Sequence, residues 1–470
     1  MRRAGWAAAA AAVAGAVALV FGRVPLGYDS YFALVWGRSL THGHAPDLDA
    51  PFASTPHPLF NVLATVLSWL PGSSDDLLRA VVLLALGALC AGTFALGREL
   101  AGWPVGLLAA AIVATRAPMV ETAVRGEVDI PAAALLMWAT VIATRAERDD
   151  PPSRGAGARV LLLLALAGLL RPEAWVLAAA YWLWRAPGWD GARRARLGAL
   201  ALAGPVLWLA SDLVVTGDAL WSSHHTHTRV RDSGDVTGLD AVRRIPRHIG
   251  SILWIPALAA SVAGLAAARV RGRERIAVPV AALVLAAATS GALALAGQTV
   301  LLRFFLFPAA VLAVLAAHAA LGWTRLEPGD RARGPWRLAG LIALVAFAAF
   351  VPKDVARVDE LRDQLHGDEQ LQAGLVALAS GPGRATLHAC RPVYVQLGGV
   401  VPTLAYEEEL DPDDLSVDLA EPARGGALVA LSPTVPHAEL PYRLPAPIRP
   451  PPGYREVAAN ESWSIAAGCG

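Results

Sequence analysis

The sequence predicts a polytopic α-helical membrane protein with a small α/β domain at its C-terminal end. Three observations carry this. Of 470 residues, 55% are hydrophobic and only 17% are charged, against about 25% charged in soluble chains. Mean hydropathy is +0.46. Apolar runs near or above the roughly 18 residues that signal a span recur as far as residue 352, and residues 353–470 lack them. The formal net charge of +1 points to no polyanionic partner, and no nucleic-acid-binding motif is present.

Apolar segments lie near 4–22, 76–97, 103–117, 130–146, 197–215, 251–268, 277–297, 301–320 and 338–351. The first follows Arg2 and Arg3 and reads either as a signal peptide or as an uncleaved span. The hydrophobic chain behind it favours the span. A tenth stretch, "LLLLALAGLLRPEAWVLAAAYWLW" at 161–184, carries Arg171, Pro172 and Glu173 at its middle. One helix of that length would cross a bilayer. Two halves of about 11 residues would not, at 1.5 Å per residue against roughly 30 Å of hydrocarbon.

The positive-inside rule decides between these readings. With Arg2 and Arg3 cytoplasmic, the loop holding Arg145, Arg148, Arg154 and Arg159 is cytoplasmic too. A hairpin at 161–184 places three more arginine-rich loops inside: Arg185 to Arg196, Arg269 to Arg275, and Arg325 to Arg337. A single crossing places all three outside. Only the loop with Arg229, Arg231, Arg243, Arg244 and Arg247 argues the other way. Pro172 also suits a break better than a continuous helix. The expected topology is therefore about 11 spans, with the N-terminus cytoplasmic and the C-terminal domain extracytoplasmic in the plasma membrane.

On that topology residues 1–352 form the membrane module, with a long first outer loop at 23–75, and 353–470 form the outer domain. Residues 30–41 and 59–70 read as interfacial helices. Residues 354–380 read as an amphipathic helix, with Val355, Val358, Leu361 and Leu365 at helical spacing. "TLHAC", "VYVQLGG", "ALVALS" and "SWSIAAG" read as strands, and "PYRLPAPIRPPPGY" as a proline-rich loop. Cys90 falls in a span. Cys390 and Cys469 share the outer domain, where an oxidising exterior permits a disulfide; two free thiols are the alternative.

The notable polar residues gather on the outer side. Asp29 in "GYDSYF" is either a partly desolvated base or a helix N-cap. His57 lies in "STPHPLFN". Glu121, Arg125, Glu127 and Asp129 crowd "ETAVRGEVDIP". Arg171 and Glu173 form the hairpin tip, and Arg303 opens "RFFLFPAAV". His224, His225 and His227 could bind a metal, but no carboxylate or cysteine stands at a fixed spacing, and a solvated loop is the simpler reading. No P-loop, zincin pair, Ser-His-Asp signature or dinucleotide fingerprint is present.

Taken in order, these elements resemble the GT-C superfamily of polytopic glycosyltransferases, which includes the protein O-mannosyltransferases and the lipid A aminoarabinose transferases. Asp29 occupies the place of the acidic residue early in their long first outer loop. "PHPLFN" is similar to their "HPP-L" element, with Leu59 in place of the second proline. Asp129 opens the fourth span. "LLRPEAW" matches an Arg-Pro-Glu turn, "GDALWSS" a "G-[DN]-P-L" segment, and "RFFLFPAAVL" an "RY-LP-L" element. The resemblance covers about residues 1–350 and leaves the outer domain uncovered.

The resemblance implies transfer of a sugar from a polyprenyl-phosphate donor to an extracytoplasmic acceptor, such as a cell-wall glycan, lipid or protein. Asp29 would be the general base. Asp129 and Glu121 would stabilise an oxocarbenium-like transition state. Arg303, with Arg171 and Arg125 as alternatives, would hold the donor phosphate. Tyr28, His57 and Glu173 would contact substrate. Some members use a divalent cation, Mg2+ or Mn2+, and others do not; the sequence leaves both open. The rival class is a transporter or flippase for a lipid-linked sugar, which would be expected to show paired repeats with matching broken helices. Only one broken segment is visible.

Overall fold

The computed structural model describes the chain apart from residues 1–2, 51–52, 71, 149–154, 272, 420–424, 436–443 and 470. Arg2, Arg154 and the start of the proline-rich loop lie outside the described residues. The helices, in order, are α1 (Arg3–Phe21), α2 (Tyr28–Thr41), α3 (Pro58–Ser68), α4 (Ser74–Ala101), α5 (Trp103–Ala114), α6 (Ala117–Val124), α7 (Asp129–Ala146), α8 (Ala156–Gly168) and α9 (Ala174–Arg185). There follow α10 (Gly191–Thr216), α11 (Trp221–Ser233), α12 (Gly238–Arg271), α13 (Arg273–Leu295), α14 (Leu306–Leu321), α15 (Arg333–Ser380), α16 (Arg384–Ala389) and α17 (Val401–Glu407). Among the described residues, eight helices are long and apolar enough to cross a membrane. A ninth candidate is α5 with α6, bent by 61° at their junction. The short arms α8 and α9 supply the two remaining apolar segments expected from the sequence.

By packing, the chain divides into two compact units: residues 1–20, 57–60 and 80–356, and residues 21–56, 61–79 and 357–470. In the first unit, α14 is buried along nearly its whole length. It packs on α12, α5 and α7. Small residues permit the close approach that drives helix association where lipid is the solvent. A side chain at Gly264 of α12, for example, would collide with the Leu315 carbonyl of α14.

The stretch 161–184 turns back on itself. α8 and α9 pack against one another and both pack on α10. The turn is closed by the Arg171 amide, which donates to the Ala167 carbonyl at 2.8 Å, and by the Trp175 indole, which donates to the Gly168 carbonyl at 2.8 Å. The Leu59 amide donates to Leu169 O from outside the hairpin at 3.2 Å. Backbone groups freed by the break around Pro172 are thereby satisfied within protein, as an apolar surrounding requires.

In the second unit a five-stranded sheet has the order β2-β1-β3-β5-β4, from β1 (Val393–Val395), β2 (Leu415–Ser416), β3 (Ala427–Leu431), β4 (Arg455–Ala459) and β5 (Trp463–Ala467). β1 runs parallel to β2 and β3; β5 runs antiparallel to β3 and β4. The sheet packs on the C-terminal part of α15: the Trp463 indole donates to Leu371 O and the Asn460 amide to Gly374 O, both at 2.7 Å. Arg38 of α2 donates to the carbonyls of Ala405 and Tyr406 at 2.7 and 2.6 Å, closing the end of α17.

Three expectations need correction. "TLHAC" is helical and falls largely in α16, because its apolar residues are too few to distinguish the periods. The span at 338–351 and the amphipathic helix at 354–380 are one continuous helix, α15, which carries Pro352 within it. Asp29 is not an N-cap: Gly27 holds that position, and Asp29 lies in the first turn of α2, where its charge still suits the helix dipole.

Cys390 and Cys469 are bonded, with Cα atoms 5.8 Å apart, and Cys90 is buried and free. A thiol reagent applied to the denatured, unreduced protein is expected to label one cysteine, and all three after reduction. Labelling of Cys390 before reduction would show the bond to be absent.

Candidate functional site

Three local turns in the first unit bring charged side chains to one place. The first joins α6 to α7. Gly126 adopts φ +72°, which a side chain would disfavour. The turn presents Glu127 and Asp129, both buried, at the start of α7. The second is the hairpin tip with Arg171 and Glu173. The third is a single tight turn at Leu302–Phe305, which presents Arg303 and Phe304 ahead of α14.

Asp129 is the hub. Its carboxylate lies 3.1 Å from Arg171 Nη1 and 3.5 Å from Arg303 Nε, and its side chain is 2% exposed. Arg303 Nη1 also meets Glu127 at 3.0 Å, and Arg171 Nη2 meets Glu173 at 2.9 Å. The Arg171 guanidinium lies 3.8 Å from the Phe304 ring centroid, a stacking that suits a weakly hydrated planar cation.

Two arginines here face three carboxylates. Taken alone that is an excess of negative charge in a largely desolvated setting. The fold offsets it. The first turns of α7, α9 and α14 all line the same small pocket, and each helix N-terminus carries about half a positive charge on its unpaired amides. The arrangement fixes the arginines while keeping a set of donors suited to an anion. The pocket has a cavity volume of about 40 Å³, above the roughly 10–15 Å³ that one water needs.

An apolar cavity of about 410 Å³ lies on neighbouring turns of α7, α9 and α13, with α8 as a further wall. Leu177 of α9 lines both. On α7 the lining passes from Ala133 and Leu136 to Ala139 and Ala143; on α13 it passes from Ser290 and Ala286 to Ala282 and Val278. Tyr181 and Trp184 border its far part.

Of the residues singled out in the sequence, the structure thus brings together Asp129, Arg171, Glu173 and Arg303. His57 is buried near them: its ring meets Trp208 edge-on at 5.8 Å, and Trp208 meets Trp175, two residues past Glu173, at the same distance. Glu121 and Arg125 pair with each other at 3.4 Å on α6 and do not line the pocket. Asp29 and Tyr28 belong to the second unit, in the first turn of α2, with the Tyr28 ring 5.2 Å from Phe32.

The histidines of α11 do not converge. His224 bonds to Asp218 at 2.6 Å and His225 stacks on Trp221 at 4.4 Å. Sequence reasoning passed over three features. Glu127 was visible as a charge but not as the partner of Arg303. Phe304 had no polar signal at all. Asp212, buried in α10, accepts from the amide and the hydroxyl of Ser222 at 3.0 and 2.9 Å, and so holds the start of α11.

Among the described residues one group could hold a metal ion, Asp47 with Asp411 and Asp413 of the second unit. Their ligand oxygens lie within 4.8 Å of one another. Burial, reinforced by the charge of Asp413, pushes the Asp47 carboxyl up to about 6. A hard divalent cation suits such oxygens, and the group contains none of Asp29, Glu121 and Asp129.

If Asp129 holds the arginines, Asp129→Asn leaves two buried cations with weakened pairing. Breaking a buried pair typically costs about 3–5 kcal/mol. A clear drop in the midpoint of thermal unfolding in detergent is expected, and an unchanged midpoint would remove Asp129 from that role.

No protein-family model matches the chain, and a search of curated proteins finds no sequence match. Among solved structures the chain is similar to ArnT from Cupriavidus metallidurans bound to undecaprenyl phosphate. The TM-score is 0.61 at 15% identity, covering 99% of this chain and 98% of that one. The apo state of that protein gives 0.60 at 14% identity. The oligosaccharyltransferase AglB from Archaeoglobus fulgidus, in complex with an inhibitory peptide and a dolichol-phosphate, gives 0.52 at 13% identity over 86% of this chain and 64% of that one. Both are GT-C membrane glycosyltransferases. The chain has the GT-C fold and is a multi-pass membrane protein.

Proposed function

We propose, from the GT-C fold as premise, that this protein transfers a sugar from a polyprenyl-phosphate donor to an acceptor on the extracytoplasmic side. The observation that carries the reading is the pocket at Arg171 and Arg303, joined on consecutive turns of α7, α9 and α13 to an apolar cavity. An anionic head and a long apolar tail are the two chemical parts of a lipid phosphate. The similar ArnT structure has undecaprenyl phosphate bound.

In this reading the donor phosphate meets Arg303 and Arg171 and the N-termini of α7, α9 and α14. Charge grows on the phosphate as the bond to the anomeric carbon breaks, and fixed cations stabilise that charge without reorganising. The acceptor oxygen attacks the anomeric carbon from the opposite face. Its proton passes to the Asp29 carboxylate. One displacement inverts the carbon, and the lipid phosphate leaves with the electron pair of the broken bond.

Glu173 is assigned to the donor sugar. Its Oε2 is buried and makes no hydrogen bond among the described residues, so it is available to accept from a sugar hydroxyl. Tyr28 and His57 are assigned to substrate contact. Asp129 orders the two arginines and Glu121 keeps an electrostatic role toward the transition state, with Arg125 as its own partner. A divalent cation, where one is used, would be held by Asp47, Asp411 and Asp413 and would supply Lewis acidity toward an oxyanion; no step above passes through it. The N-terminus is assigned to the cytoplasm and residues 353–470 to the outside, by the arginine distribution.

Two variants test the assignments. Asp29→Asn, supplied with labelled polyprenyl-phosphate sugar in membranes, should form no glycosylated product while folding normally; full activity would sink the base assignment. Arg303→Ala should bind lipid phosphate about 10- to 100-fold more weakly, the worth of one hydrogen bond to a charged group. An unchanged affinity would take Arg303 out of the donor site.

A further inference from the structure

The arginine-rich segment that opposed the topology has a structural explanation. α12 is formally 34 residues long, but Trp254 interrupts it at φ 69°, ψ 156°. A bulky residue in the left-handed region costs energy and persists only where the surroundings impose it. Pro256 follows directly. Residues 238–253 are therefore a separate helix joined to the membrane span through a sharp break.

That helix is amphipathic. At about 100° per residue, Arg243, Arg244, Arg247 and His248 fall with Asp240 and Ser251 in one arc of roughly 140°. Ile245, Ile249 and Ile252 fall opposite. Ile252 and Leu253 are fully buried, whereas Arg243, Arg244 and Arg247 are exposed. Arg243 pairs with Asp240 at 2.9 Å. Arg244 and Arg247 have no partner among the described residues. Exposed Leu239 lies at the edge of the cationic arc. At the other edge His248 stacks on Phe305, with ring centroids 5.9 Å apart, two residues from Arg303.

A cationic arc, an exposed apolar flank and a tryptophan at the junction with a span are the marks of a helix lying in the membrane interface. We propose that residues 238–253 bind the anionic phospholipid head groups of the leaflet beside the Arg303 pocket, through Arg244 and Arg247. Charge complementarity selects the occupant: unpaired guanidinium groups next to lipid-exposed side chains meet phosphodiesters at that depth. The contact rests on the chain being a membrane protein and not on sugar transfer, so either statement can fail without the other.

Hydrogen exchange of the full-length protein tests it. The protein is placed in nanodiscs of phosphatidylcholine alone, and of phosphatidylcholine with phosphatidylglycerol in equal parts. Exchange across 238–253 should slow severalfold in the anionic discs, each arginine favouring an anionic surface by about fivefold. In R244Q/R247Q the two discs should give equal rates, with thermal unfolding in phosphatidylcholine unchanged from the wild type. Equal wild-type rates in the two discs overturn the proposal. So does slowing that survives in R244Q/R247Q. A third arm adds inorganic phosphate to the phosphatidylcholine discs; slowing equal to that of the anionic discs would mean a soluble anion is the occupant, which also overturns it.

Discussion

The buried contact of Asp129 with Arg171 and Arg303 is the constraint on which the membrane unit turns. Removing two guanidinium groups from water costs several kcal/mol each unless their donors are met. The carboxylates that meet them come from separate parts of the chain, so three turns must arrive together. The positive φ of Gly126, the reversal at Pro172 and the tight turn at Leu302–Phe305 all serve that meeting. Each turn also begins a helix, and the helix amides then add to the positive side of the balance. Structure and proposed chemistry share one cause here: charges held this firmly are already placed for an anion.

The hairpin follows from the same requirement. A continuous helix through 161–184 would carry Arg171 and Glu173 on opposite sides of its axis, about 200° apart. The turn lets both meet, and each finds its partner. Two arms of 13 and 12 residues then reach only about 20 Å each. The apolar cavity lies where α9 faces α7 and α13, on the turns that follow the charged tip. The charged pocket and the apolar cavity are thus adjacent because the segment that supplies Arg171 also supplies one wall of the cavity.

Much of this was legible in the sequence, for identifiable reasons. Apolar length found the long apolar helices of the described residues, and arginine counting found the hairpin, because both are one-dimensional signals. Three of five strands were legible from their apolar runs; β4, with the pattern of "REVAA" largely exposed, and the two-residue β2 were not. Asp129 and Arg303 stood out as charges near span ends. Their pairing could not be read, since it joins residues far apart in the chain by distance alone. Glu127 was seen as one charge among four, and nothing local distinguished it from Glu121, which pairs with Arg125. The aspartate group of the second unit was hidden for the same reason: Asp47 and Asp413 lie in different loops, and only the fold brings them within reach.

The exception to the positive-inside pattern completes the electrostatic picture. On the proposed topology the segment 229–247 is translocated, where arginines oppose insertion, so the three of its five that lie on residues 238–253 call for a reason. A purely soluble loop offers none. An interfacial helix does, because its cations gain from head-group phosphates what they lose in translocation. The two arginine sets then act at different levels. Arg171 and Arg303 are buried and held by carboxylates, which fixes their geometry. Arg244 and Arg247 are exposed, which lets them follow a fluid surface.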